Sequence, residues 1–571
     1  VDAAASLPAG PFEELTEASG FRFDHFNGMS GEFFFHEMMG AGAGLVDFDR
    51  DGDLDLYLVQ GHMLGAGKSL RDALLPPSDA PPFRDRLFRN DLEIHADGQR
   101  SLRFVDVTAA SGLDARGYGM GVAVGDVDGD GWPDLYTTNF RENQLWRNRG
   151  DGTFEDATAA AGVGDRRWSV PAVFWDYDRD GDLDLYVGNY VDFSEATQKR
   201  CTTELGGPNY CGPLSFEPQE DALYRNRGDG TFEDVTGRAG LRSAPAGGAL
   251  GAVAGDFNGD GWPDLYVAND GVPNHLWINH GDGTFSNEAL LAGAAVNRNG
   301  QPEGSMGLDA GDIDGDGDED LFMTHLQRET NTLYRNAGDG TFEDAAVSSG
   351  LAAPSREFTG FGTAFLDYDG DGAPDLVAVN GAVKVVEELA LAGDPYPLHQ
   401  RNQLFHNRGD GTFEEVEGGE PFARSEVSRG AAVGDLNNDG APDLLLTNNA
   451  GPARLLIHRQ APTWAWLGLR LVEGKGRDAL GAWARVTVDG RKPLWRRVRS
   501  AAGYASAQDP RILLGLGDSS AATARVEVQW PDDDGPRQEV FPAVPLGAYS
   551  TLVRGQGSAG TSARTSATGK P

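Results

Sequence analysis

Two cysteines in 571 residues are too few for a disulfide-built scaffold or a four-thiolate zinc cluster. No run of about 18 apolar residues occurs, so no membrane-spanning helix is expected. Basic residues are scarce. The 48 Lys and Arg against 88 Asp and Glu leave a net charge of −40, which repels phosphate backbones and anionic membranes and argues against nucleic acid as a partner. A G-x-S-x-G elbow, a Walker loop and a dinucleotide fingerprint are all missing. The chain begins VDAAASLPAG, with neither a basic start nor an apolar stretch. The expectation is an extracellular or periplasmic protein whose signal peptide is already removed.

Glycine, by contrast, is abundant. Its 79 copies are roughly twice the usual share, and with ordinary apolar content they read as turn punctuation in an all-β chain. One nonapeptide, D-x-[DN]-x-D-G-x-x-D, returns seven times, beginning at Asp47, Asp126, Asp176, Asp256, Asp312, Asp367 and Asp435. Short apolar runs flank each copy, predicting strand, acidic loop, strand. A second phrase follows, as in LWRNRGDGTFEDAT from Leu145 and LYRNRGDGTFEDVT from Leu223; its G-D-G predicts a hairpin turn. Each unit then has four strands, and seven such units make a seven-bladed β-propeller. The last unit stops at RLLIHR without its outer strand, whereas FEELTEASGF from Phe12 is an orphan copy of that strand. The N-terminal strand is therefore expected to close the last blade.

Alternate carboxylates on one short loop repel each other unless a cation sits among them, and oxygen ligands at positions 1, 3, 5 and 9 suit Ca²⁺. Position 7 would add its main-chain carbonyl. The expected ligands are Asp47, Asp49, Asp51, Asp53 and Asp55 in the first loop and Asp126, Asp128, Asp130 and Asp134 in the second. The third offers Asp176, Asp178, Asp180, Asp182 and Asp184, and the fourth Asp256, Asn258, Asp260 and Asp264. The fifth offers Asp312, Asp314, Asp316, Asp318 and Asp320, the sixth Asp367, Asp369, Asp371 and Asp375, and the seventh Asp435, Asn437, Asp439 and Asp443. Up to seven calcium ions, structural in role, are expected. Position 12 of the first loop is Leu58, not the bidentate Glu of an EF-hand.

On these loops, the NRGDGTFED phrases, the opening FNGMSGEFFFHEMMGAGAGLVDFDRDGDLDLYLVQG and NYCGP from Asn209, the chain resembles the FG-GAP/VCBS repeat propellers, which include the integrin α-subunit head. More closely it resembles the cartilage acidic protein family with its C-terminal ASPIC/UnbV domain, to which AWLGLRLVEGKGRDALGAWARVTV and GYASAQDPRILLGLG are similar. The resemblance covers nearly the whole chain and implies the architecture, but little about activity, since the family spans matrix proteins and companions of biosynthetic clusters. The His36-Glu37 pair stands where the family pattern is Pro-Glu.

The expected organisation is a propeller over 1–460, a small β-sandwich over 461–556 and a disordered tail over 557–571. Residues 461–571 carry 15 basic and 10 acidic groups, so the two domains should attract. The basic run RKPLWRRVRS from Arg491 is expected to dock on the acidic propeller, with an external anion as the alternative. Cys201 and Cys211 lie in one insertion and read as a disulfide, against soft-metal ligation needing further ligands.

Loops on the face opposite the acidic ones carry the insertions 61–86, 190–222 and 381–402. Five residues past each acidic loop stands Gln60, Asn139, Asn189, Asn269, His325, Asn380 or Asn448. These are read either as main-chain turn caps or as a polar rim around the mouth of a central channel. His25, His36, Glu37 and His62 belong to the same face and could hold a transition metal. The reading is a secreted calcium-binding scaffold for an extracellular protein or glycan; the rival is a metal-dependent enzyme using the opposite face.

Overall fold

The computed structural model describes residues 10–459, 462–532 and 537–559. Seven antiparallel sheets, each with four strands from the repeat, form the ring. Their first strands are Ala43–Val46, Tyr118–Gly125, Ser169–Trp175, Ala249–Gly255, Leu308–Gly311, Gly360–Leu366 and Ser428–Gly434, and each packs beside the next until the seventh meets the first. These strands are rich in Gly and Ala because both of their faces are covered. A Cβ on Gly121 would lie 2.6 Å from the Ala505 carbonyl oxygen.

The ring closes as the orphan phrase predicts. Phe12–Glu14 pairs with Arg454–His458, Phe12 opposite His458. Thr16 takes the place that Thr158 and Thr236 hold elsewhere: its Oγ1 accepts the Leu455 N–H at 3.0 Å, as Thr158 does for Leu145 and Thr236 for Leu223.

A second device, unassigned in the sequence reading, joins the blades. The Asn ending each third strand donates its amide to the acidic loop of the preceding blade. Asn148 Nδ2 reaches the Phe48 carbonyl at 2.8 Å, Asn226 that of Val127 at 2.7 Å, and Asn279 that of Tyr177 at 2.8 Å. Asn336 reaches Phe257 and Asn407 reaches Ile313. Asn90 reaches Leu436 at 2.9 Å, across the closure. The seventh blade has His458 at this position.

The C-terminal domain has two sheets, one centred on Trp466–Val472 and one of five strands including Trp483–Thr487 and Thr523–Gln529. Leu467, Leu469, Val486, Leu514, Val526 and Trp530 form its core. Ser558–Ala559 is an edge strand paired with Glu539 and Val540. The expected tail thus begins too early; its remainder, 560–571, lies outside the described residues.

One part of this domain leaves it. Residues 500–509 form a hairpin that enters the centre of the ring. Ala507 pairs parallel with Gly44 of the first blade, the Gly503 and Leu308 backbones exchange hydrogen bonds at 2.8 and 3.1 Å, and the Asp509 N–H donates to Val433 at 3.1 Å. Tyr504, fully buried, donates its hydroxyl to the Met39 carbonyl at 2.9 Å and meets Phe361 edge-on at 4.9 Å. First strands of a propeller are sheet edges with unpaired backbone groups facing the axis, and the hairpin supplies partners for them.

Candidate metal centres and the opposite face

All seven acidic loops share one backbone. Position 6 is glycine throughout, with φ between 88° and 97°, a region closed to other residues without strain. Position 4 is also left-handed, occupied by Gly in four loops and by Arg50, Arg179 and Asn438 in the others. The position-9 aspartate holds each loop to its blade. Asp134 Oδ2 accepts the Val127 N–H at 3.0 Å and Oδ1 the Asn148 N–H at 2.7 Å, and the other six repeat this pair.

Position-1 aspartates use one oxygen on the glycine N–H, as Asp126 Oδ2 does with Gly131 at 2.8 Å. The other oxygen is buried and has no hydrogen-bond partner in Asp47, Asp176 and Asp367; position-3 Asp49, Asp178 and Asp314 likewise keep one oxygen without a hydrogen bond. Ligand atoms of Asp47, Asp49 and Asp55 lie within 4.8 Å of one another, as do those of Asp126, Asp128 and Asp134, of Asp176, Asp178 and Asp184, and of Asp312, Asp314 and Asp316. Burial, with the neighbouring carboxylates adding to it, pushes Asp176 up to about 8 and Asp126 and Asp312 up to about 6. Such buried, crowded oxygens fit a hard divalent cation. Asn258 and Asn437 leave the fourth and seventh loops one carboxylate short. In the sixth, His406 Nδ1 lies 3.2 Å from both Asp369 and Asp375, a donor that the repeat pattern conceals because most copies have Arg there.

Tryptophan at position 7 has a further role. Arg50 of the first loop lies over Trp132 of the second, and Arg179 of the third over Trp262 of the fourth, at 5.2 and 3.7 Å.

The C-terminal domain sits on this acidic-loop face. Arg511 reaches the Asp435 carbonyl and Asn438, Tyr549 reaches Asp435 Oδ2 at 3.1 Å, and the Gly515 N–H reaches Asp367 Oδ2 at 2.9 Å. Arg477 contacts Gly181. From the basic run, Arg491 and Arg496 donate to the Asp371 and Gly372 carbonyls. Arg497 and Arg499 close on buried Glu319, the former at 2.6 Å. Burial would raise the Glu319 carboxyl, but the two guanidiniums hold it below the usual range.

On the opposite face the seven polar residues act as main-chain caps, the first of the two readings, and not as a rim. All are buried, and their amides fasten the following loop: Asn139 to the Glu142 carbonyl at 3.0 Å, Asn189 to Glu220 at 2.9 Å, Asn269 to Pro273 at 2.9 Å, Asn380 to Arg401 at 2.9 Å and Asn448 to Pro452 at 2.8 Å. Gln60 donates to Asp24 at 3.0 Å, and His325 is buried 3.9 Å from Glu303. The same face holds His25, His36, Glu37 and His62, the set expected to be able to hold a transition metal. The His36 ring stacks on Phe140 at 4.1 Å and meets Tyr118 at 5.0 Å. Burial and then the positive field of His62 and Arg141 push it far down; burial and Arg429 push His25 to about 3. Glu37 turns to Tyr210 at 2.7 Å, and His62 Nδ1 to its neighbour's carbonyl. Burial and the neighbouring guanidiniums disfavour a cation at the two buried rings, where His25 Nε2 and both His36 nitrogens have no hydrogen-bond partner.

Cys201 and Cys211 form a disulfide, with Cα atoms 5.3 Å apart. No helix among the described residues is long and apolar enough to cross a membrane.

A family model described as an FG-GAP-like repeat matches residues 126–187, 214–267, 256–323, 312–378 and 387–446, and one described as ASPIC and UnbV matches 472–559. Cartilage acidic protein 1 of Homo sapiens is 25% identical over 380 residues, covering 57% of this chain and 56% of that protein. The Xenopus tropicalis protein of the same name is 26% identical over 383 residues, 57% of each. The chain thus spans little more than half the length of the curated relatives it matches. Among solved structures, YCF48 bound to D1 peptide aligns with a TM-score of 0.40 at 7% identity, over 80% of this chain and 99% of that one. An Agrocybe aegerita lectin recognising terminal N-acetylglucosamine aligns at 0.34 and 18%, over 61% and 83%.

Proposed function

Because the chain belongs to the FG-GAP-like repeat family and carries an ASPIC and UnbV domain, we propose that it is a secreted, calcium-stabilised propeller scaffold that binds an extracellular protein or glycan through the face away from its acidic loops. The observation that carries this reading is the placement of the C-terminal domain. It covers the acidic-loop face and fills the ring centre, so calcium there would serve stability and leave the other face free. That face carries the long insertions, one of them held by the disulfide, and binding residues concentrate in loops on a rigid frame. The partner-orphaned oxygens of Asp47, Asp176 and Asp367 support calcium as the ion the loops would hold; when bound it neutralises carboxylates that otherwise repel. The enzymatic rival would need His25, His36, Glu37 and His62 on one ion, and burial with the charges of Arg141 and Arg429 disfavours a cation at the two buried histidines.

The test is a panel of matrix proteins and glycans probed with the calcium-loaded protein. Leu214→Arg, on the insertion at a residue 75% exposed, should weaken capture at least tenfold, while Arg525→Glu on the sandwich leaves it intact. The reverse pattern would place the working surface on the second domain.

A further inference from the structure

A cavity of about 440 Å³ opens on the face away from the acidic loops, within the size range of small-molecule sites. Four stretches distant in sequence enclose it: residues 29–37, Leu74, residues 203–210 beside the disulfide, and residues 385–398. They are tied to one another. The Val385 N–H donates to Asn209 Oδ1 at 2.9 Å, Gln198 Nε2 to the Phe33 carbonyl at 2.5 Å, and the Leu74 N–H to Met29 at 3.0 Å.

The lining is apolar and aromatic, with Leu205 and Leu391 at the edge, 73% and 79% exposed. Phe33 holds φ at 58°, a conformation bulky residues adopt only when their surroundings impose it, and its ring lies 5.0 Å from that of Tyr210. Three acids line the cavity. Asp394 is paired with His399 at 2.8 Å, and Glu387 accepts the Leu205 N–H. The third, Glu37, is 1% exposed; Oε1 accepts the Tyr210 hydroxyl at 2.7 Å, and Oε2 is buried with no partner.

We propose that this cavity binds a small apolar molecule carrying one protonated amine, with the ammonium on Glu37 Oε2 and the body against Phe33, Tyr210, Tyr396 and Leu391. An ammonium supplies the partner that Oε2 lacks, aromatic faces attract cations, and a chain of charge −40 disfavours anions. The groups facing Glu37 are the hydroxyls of Tyr210, Tyr118 and Tyr396, the Phe34 backbone N–H and the carboxylate of Glu32, none a countercharge. Burial pushes Glu37 up to about 8, so at neutral pH the arriving ammonium releases the carboxyl proton to water. The inference goes beyond the scaffold reading and does not rest on it.

Calorimetry on the full chain at pH 7.5, with octylamine, octanol and octanoate below their micellar concentrations, tests it. Octylamine should bind at least tenfold tighter than octanol, and octanoate weakest. Glu37→Gln should bring octylamine down to the affinity of octanol, and Leu391→Arg, at an exposed edge where folding is unaffected, should weaken octylamine at least tenfold. Octanol binding as tightly as octylamine, an amine preference that survives Glu37→Gln, full affinity in Leu391→Arg, or no binding of any probe would each overturn the proposal.

Discussion

Substituting Glu319 by Ala removes the one carboxylate shared by Arg497 and Arg499 where the domains meet. Glu319 is 3% exposed, with Arg497 Nε 2.6 Å away and Arg499 on its other oxygen. Breaking a buried pair leaves uncompensated charge and costs about 3–5 kcal/mol; here Arg497 loses its carboxylate while Arg499 keeps Asp309 at 4.0 Å, and the lower part of that range applies. The pair holds the base of the hairpin, so the cost falls on docking of residues 500–509 more than on the blades. Amide hydrogen exchange reads this directly. The Gly503 and Asp509 N–H groups donate to Leu308 and Val433 across the domain boundary and exchange only when the hairpin leaves. At about 1.4 kcal/mol per decade, their exchange should accelerate roughly a hundredfold or more in Glu319→Ala, while amides inside the blades, such as Leu135, stay protected. The carboxyl's folded value is depressed, so its contribution is present above the ordinary 4.5 and is lost as pH falls through the lower folded value. The same two amides should lose protection in acid. Unchanged exchange at Gly503 and Asp509 in the variant would refute the assignment of docking energy to this pair.

Other consequences are open to measurement. Asn148→Ala leaves the Phe48 carbonyl without its partner and should destabilise by about 1–3 kcal/mol in urea unfolding; a neutral result would remove the inter-blade role. Truncation through residue 16 exposes Arg454–His458 as a sheet edge and strips Arg454 of Glu14, 2.9 Å away; aggregation is expected by light scattering, and a monodisperse product with unchanged melting would contradict ring closure by this strand. Glu37 holds a proton between pH 4.5 and about 8 that the unfolded chain gives up. Its contribution to stability is full below 4.5 and lost as pH rises to 8, up to roughly 5 kcal/mol. In saturating calcium, Glu37→Gln should therefore flatten the decline in urea midpoint between pH 5 and 9, and a parallel decline would exclude it.

What could be read from the sequence was whatever repeats within one unit. The nonapeptide spacing gave the acidic loops, the G-D-G-T-F phrase gave the outer hairpins, and the orphan FEELT gave the closing strand, because each is a local pattern written many times over. Relations between units are harder to see. The Asn ending each third strand recurs in six blades, and its replacement by His458 in the seventh was a visible signal of an inter-blade role that the turn-based reading passed over. The polar residue after each second strand was noticed, but spacing alone does not tell a rim from a buried cap; burial and the carbonyls at 2.8–3.0 Å decide it. Nothing periodic marks residues 500–509. Their small side chains read as part of a sandwich, and only the crowding of Gly121 against Ala505 explains why a segment so poor in bulk fits the ring centre.

The proposed role of the seven loops is to form calcium sites that stabilise the ring beneath the C-terminal domain. Elemental analysis of the protein dialysed against calcium, paired with melting in calcium and in chelator, tests it most directly. Between five and seven calcium ions per chain are expected, the fourth and seventh loops filling last because Asn258 and Asn437 replace a carboxylate. Chelation should lower the melting temperature markedly, since each site stabilises the native state by RT ln(1 + [Ca²⁺]/Kd). Less than one calcium per chain, with superimposable melting curves in calcium and chelator, would contradict the account.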